Sequence, residues 1–89
     1  MKIIFGNFGF LSTDVFIVVD GRQLPIGTIS SKYSEGYEFW QSEYFIDQYV
    51  KRDGYIKFED VPTADQIVAE YMRQSEDRVS INKDIIYAG

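Results

Sequence analysis

The chain has no cysteine and no histidine. The first absence removes disulfides, thiolate nucleophiles and zinc–thiolate sites. The second removes the commonest general base and the commonest transition-metal ligand. No GxGxxG, P-loop or calcium-loop spacing occurs. No run of about 18 apolar residues, the length of a membrane span, is present either. The opening MKIIFGNFGF has one lysine and a short apolar run broken by Gly6, Asn7 and Gly9. That suits a first strand better than a signal peptide, so the expected compartment is cytoplasmic. These absences lead to the expectation of a protein that is not an enzyme, with no catalytic residue, metal or cofactor.

Apolar residues are well supplied: 45% are hydrophobic and 17% aromatic, too many for a disordered chain. With 89 residues they suit a single domain, 1–89. The organising stretch is Val15–Ile29, VFIVVDGRQLPIGTI, in which two β-branched runs flank Asp20-Gly21. A type I′ turn needs positive φ at both central residues, which Asp tolerates and Gly adopts freely, so the stretch reads as a hairpin. A two-residue turn sets Val19 opposite Arg22, Ile17 opposite Leu24 and Val15 opposite Ile26. Val15, Ile17, Val19, Leu24 and Ile26 then share the core face. Pro25 falls opposite Phe16, at a pair whose N–H groups point away from the partner, and blocks pairing on the other edge.

Around the hairpin, Lys2–Phe10 reads as a first strand, Ser12-Thr13-Asp14 as polar punctuation and Ser30–Gly36 as a loop. Gly36–Trp40 reads as a third hairpin partner, with Tyr37 and Phe39 on one face and Glu38 and Trp40 on the other. From Ser42, a suitable N-cap, the period becomes helical: Phe45, Ile46, Tyr49 and Val50 share a face, and Gly54 is the stop. The competing reading makes Asp53-Gly54 a second hairpin turn preceded by a strand. Tyr55–Glu59 alternates like a strand. A second helix follows, with a Thr63-x-x-Gln66 capping box and the stripe Ala64, Ile67, Val68, Tyr71 and Met72, ending over 74–77. Arg78–Ile81 and Ile85–Tyr87 read as late strands. The expected fold is α+β: an antiparallel sheet of four to five strands with two helices packed on one face.

Charge is uneven. Residues 34–77 hold eleven acids against Lys51, Arg52, Lys57 and Arg73, while the whole chain is −5. An acidic surface disfavours phosphate backbones and favours a basic protein surface, although solubility alone accounts for many acidic domains. Glu59, Asp60 and Asp65 sit where a helix N-terminus favours anions, which explains them more simply than an acid pair or a metal site. Nine of the fifteen aromatics fall between Tyr33 and Phe58, interleaved with Glu35, Glu38, Glu43, Asp47 and Asp53. A helix and a strand cannot bury all nine. Exposed Trp and Tyr rimmed by carboxylates is the composition of a protein-binding hot spot. The candidate partner-binding residues are therefore Glu35, Tyr37, Glu38, Trp40, Glu43, Tyr44 and Asp47. The expected partner is a protein with a basic surface, with no direct nucleic-acid contact and no membrane.

Two resemblances add to this reading. Ile3–Phe8, IIFGNF, resembles the first-strand motif of the RNA-recognition-motif family, and Gly54–Phe58, GYIKF, the end of its third-strand motif. That likeness implies base stacking on Phe5, Tyr55 or Phe58. The chain departs from the pattern at Arg52 and Asp53, where the family has Gly and an aromatic, and in having a hairpin where the family has a helix. Over the whole chain, size, acidity, aromatic content and lack of catalytic residues resemble phage-encoded inhibitors of host defence, the anti-CRISPR proteins among them. This profile carries no motif. It implies an inhibitor that blocks a nucleic-acid-handling complex, with Glu35, Glu38, Glu43 and Asp47 standing in for phosphates. A third possibility is a structural subunit that buries its aromatic surface in an oligomer.

Overall fold

Asp20 and Gly21 have φ of 50° and 77°, so the turn adopts the doubly left-handed geometry that the dipeptide favours. The computed structural model of the chain describes residues 1–9, 11–31 and 36–75. Four strands, β1 (Lys2–Gly6), β2 (Ser12–Val19), β3 (Arg22–Ser31) and β4 (Tyr37–Gln41), form one antiparallel sheet in the order β1-β2-β3-β4. Helix α1 begins as an α turn, Glu43–Phe45, and continues as a π-helix, Ile46–Arg52. A 3₁₀ turn occupies Phe58–Asp60, and helix α2 runs over 64–75 of the described residues.

One apolar cluster joins these elements. Val15, Ile17, Leu24, Ile26 and Ile29 of the sheet are buried together with Phe45 of α1, Ile56, and Ile67 of α2. Both helices therefore lie on one face of the sheet, as expected for this α+β fold. Tyr71 ties the two outer strands together, its ring 4.9 Å edge-on from both Phe5 and Tyr37. Its hydroxyl lies 3.5 Å from that of Thr13, which is 4% exposed.

The hairpin register agrees with expectation at Val19–Arg22, Ile17–Leu24 and Phe16–Pro25, then departs from it. Val15 pairs with Gly27, not Ile26, because a bulge places one extra residue in β3. The cause is steric. A Cβ at position 27 would collide with the Trp40 carbonyl oxygen and sit 2.7 Å from the Phe39 ring. The bulge lets glycine take the crowded site and keeps Ile26 in the core, fully buried.

Ser12–Asp14 belong to β2, and Ser30 and Ser31 extend β3, so both polar stretches are strand and not punctuation. Their partners explain it: Thr13 faces Ile29, and Ser31 donates its N–H to the Leu11 carbonyl at 3.2 Å. β1 stops at Gly6 because Asn7 turns left-handed, at φ 51°, and donates its side-chain amide to Asp14 at 2.9 Å.

Ser42 caps α1 as its sequence suggests, its hydroxyl accepting the Phe45 N–H at 3.2 Å. The strand alternative for this segment is set aside, and Gly54, φ 60°, stops the helix. The winding is looser than the expected α-helix: i→i+5 bonds bring a four-residue spacing closer to a full turn. Phe45 thus stacks near Tyr49, ring centroids 5.6 Å apart. Tyr55–Glu59 is not a strand. The Ile56 N–H closes back on the Tyr49 carbonyl at 3.1 Å, and Asp60 and Val61 donate into the 3₁₀ turn. Ile56 alone enters the core, while Phe58 is 71% exposed. The α2 capping box is present in both directions: Thr63 N–H to Gln66 Oε1 at 2.9 Å and Gln66 N–H to Thr63 Oγ1 at 3.2 Å. Of its expected stripe, Ile67, Val68 and Tyr71 pack on the core, while Ala64 and Met72 are exposed. The expected strands at 78–81 and 85–87, and hence any fifth strand, lie outside the described residues.

Candidate functional site

Strand alternation in β4 separates the aromatics. Tyr37 and Phe39 turn to the core side and pack on its cluster, so Trp40 turns to the opposite face, where it is 59% exposed. Pairing aligns Trp40 with Thr28 and Thr28 with Asp14, and Glu38 with Ser30 and Ser30 with Ser12. Further across the same face, Ile4, Phe16 and Pro25 form an apolar row. The helices add their buried side chains to the other face. The sheet therefore presents an open surface with Trp40 at its β4 margin and Phe16 near its middle.

Just beyond Trp40 the chain enters α1, and Ser42 donates its N–H to the Ile26 carbonyl at 2.8 Å. This anchors the helix start against β3. Glu43 and Asp47, one turn apart and exposed, line a hollow of about 340 Å³ with Gln41, Ser42, Ile46 and Lys51. Lys51 Nζ lies 3.7 Å from Asp47 Oδ1 in an exposed pair, which leaves the carboxylate well hydrated and weakly held. Tyr44, on the outer side of the same turn, is 67% exposed.

On the core side of β4 a groove of about 390 Å³ separates the strand from the start of α2, lined by Phe39, Gln41, Phe58, Val61 and Ala64 with Glu59 among them. Gln41 borders both depressions. Hollow, strand end and groove therefore adjoin one another.

Of the residues singled out from sequence, Trp40, Glu43, Tyr44 and Asp47 are exposed at or just after the end of β4. Glu38 lies on the Trp40 face and is half-buried. Tyr37 lies on the other side, half-buried against Tyr71. Glu35 and Tyr33 lie outside the described residues. Sequence reasoning missed Gln41 and Ala64, and named Phe58 only for base stacking, not as part of a partner-binding site. Phe58 was masked by an alternating pattern that places it beside Ile56, and Ala64 by its fit to a helical stripe.

The positions marked by the RNA-recognition resemblance do not share a sheet face. Phe5 packs on Tyr71 in the core, and Phe58 sits in the 3₁₀ turn. Tyr55 is engaged at the hairpin tip, its hydroxyl 3.2 Å from Asp20 Oδ2 and its ring 5.2 Å from the Arg22 guanidinium. On α2, hydrogen bonds from Arg73 and then Gln74 hold the Glu70 carboxyl at about 2. That pair braces the helix surface and is remote in sequence from the candidate residues. No family model, curated protein or solved structure matches the chain.

Proposed function

We propose that the chain is a non-enzymatic protein-binding module whose partner presents a basic surface. It acts as an inhibitor by covering that surface, in the manner of phage-encoded anti-CRISPR-type proteins. The observation that carries the reading is Trp40. A lone tryptophan 59% exposed on an open sheet face, with Phe16 on the same face and Glu43, Tyr44 and Asp47 just beyond it, has the make-up of an interface anchor and its rim. The acidic balance of residues 34–77 supports a cationic partner by complementarity, and a phosphate backbone would be repelled by the same charge. A surface that binds nucleic acid on a protein, such as a guide- or DNA-binding groove, has the sign that these carboxylates match.

The test is capture of the partner on the immobilised full chain, followed by affinity measurements on three proteins. Trp40→Ala should weaken binding at least about 30-fold, or about 2 kcal/mol. Glu43→Lys with Asp47→Lys should slow association and flatten its salt dependence, because rim charges act mainly on encounter. Wild-type affinity in both variants, or micromolar binding of RNA or DNA oligonucleotides at physiological salt, would refute the proposal.

A further inference from the structure

Hydrogen-bond alternation in β4 leaves one edge unused. Because Ser42 donates to Ile26 across the ladder, residues 38 and 40 aim their backbone groups at β3, and Tyr37, Phe39 and Gln41 aim theirs away from it. β4 is the last strand of the sheet, so among the described residues no strand lies beside those three. Edge strands are ordinarily blunted by lysine, proline or a bulge. The sequence YEFWQ has no lysine or proline, and its pairing with β3 runs without a shift. β3 is treated differently: β4 stops pairing at Gly27, and the stretch of β3 that it leaves uncovered contains Pro25.

We propose that the β4 edge is a strand-addition site whose occupant is an extended segment of the basic partner, with apolar side chains alternating with Lys or Arg. The proposal rests on the basic-partner reading above and adds its mode of binding. The alternation follows from geometry, since an added strand sends every second side chain to each face. Inward side chains meet the groove walls of Phe39, Phe58, Val61 and Ala64, which suit residues of the size of Val or Leu. Outward side chains meet the open face at Trp40, whose ring attracts a cation. Glu59 at the groove and Glu43 past the strand end extend the negative rim. The same charge disfavours a second copy as occupant. Pairing two β4 strands would bring together two acidic segments with no Lys or Arg in either strand.

The experiment titrates the full chain with a capped octapeptide of alternating Val and Lys. Its controls are the Val–Glu counterpart and the Val–Lys peptide N-methylated throughout. Binding of the first should shift the amide resonances of Tyr37, Phe39 and Gln41 and slow their hydrogen exchange, and both controls should bind at least tenfold more weakly. Gln41→Pro removes an edge N–H that β3 does not use, and should likewise weaken binding at least tenfold. Should that variant fail to fold, Ala64→Trp, at an exposed position on the groove wall, should give the same loss by filling the groove. Peptide binding that leaves the three amides unchanged and is equal in the edge variants would overturn strand addition while leaving the basic-partner reading standing. Absence of binding at millimolar peptide would overturn it as well, with the Trp40→Ala affinity test deciding the basic-partner reading separately. Self-association abolished by Gln41→Pro would assign the edge to a second copy and equally overturn the proposal.

Discussion

Gly27→Ala adds one methyl group where three strands converge. Position 27 pairs with Val15 on one side and Gln41 on the other, so neither neighbour yields without breaking its ladder. The new carbon meets the Trp40 carbonyl oxygen and two Phe39 ring carbons, the latter at 2.7 Å. A ring rotates at modest cost, but a carbonyl in a paired strand moves only with its strand. Overpacking a rigid site costs about 1–3 kcal/mol. Prising β4 from β3 at this end loses one or two backbone hydrogen bonds at about 1 kcal/mol each. The sum, about 2–5 kcal/mol, is a large share of the roughly 5–13 kcal/mol typical of a chain this long. Gly21→Ala is the matched control: φ is 77° but nothing lies within 4 Å of the added carbon. It should incur only left-handed backbone strain, about 1–2 kcal/mol. Urea unfolding followed by circular dichroism compares the two. A Gly27→Ala loss no larger than that of Gly21→Ala would refute the close approach of β3 and β4.

Tyr71→Ala, which removes the ring touching both Phe5 and Tyr37, should cost about 3–5 kcal/mol in urea unfolding. Tyr71→Phe should cost under about 1 kcal/mol, because its hydroxyl contact with Thr13 is long at 3.5 Å. Glu70 falls from 4.5 to about 2 on folding through its bonds to Arg73 and Gln74. A depressed carboxylate stabilises above its unfolded value and loses that contribution as pH drops from 4.5 toward 2. Glu70→Gln should therefore lower the unfolding midpoint at pH 7 and converge with wild type near pH 2. Trp40 should emit at long wavelength and be quenched by acrylamide. With about two fifths of a side chain of about 250 Å² covered, Trp40→Ala should cost no more than about 2.5 kcal/mol of stability. A blue-shifted, quencher-resistant emission would remove Trp40 from the surface.

Local chemistry was legible wherever one short pattern decided the outcome. Asp20-Gly21, the Ser42 cap and the Thr63–Gln66 box each satisfy backbone geometry or donors within a few residues, and all three are present. The faces of β4 were legible too, since alternation needs no knowledge of neighbours. The bulge was not, because its cause is the Phe39 and Trp40 backbone and ring approaching Gly27 from a strand more than ten residues away. Tyr55–Glu59 misled for a related reason. Alternation marks a strand only where a partner stands alongside, and here Ile56 pairs its N–H back to α1. At the site, Trp40 was readable from its phase, whereas Gln41, Phe58 and Ala64 are brought together only by the packing of α2 against β4.

The extra residue in β3 also sets how this gene segment tolerates change. Leu24 and Ile29 both face the core although an odd number of steps separates them, and the pair Ile26 and Gly27 opposite Val15 accounts for it. Delete Ile26 and the remaining order, Leu24 in, Pro25 out, Gly27 in, Thr28 out, Ile29 in, is a regular strand. Every neighbour keeps its face, and the loss is one buried side chain. Deleting Gly27 keeps the same alternation but sets the Ile26 side chain where a Cβ would collide with the Trp40 carbonyl oxygen. A deletion elsewhere inside β2 or β3 turns over the half beyond it, carrying core residues into water. Single-codon losses in β2 and β3 are therefore best survived at Ile26, and outside the bulge pair these strands change length without inversion only by twos.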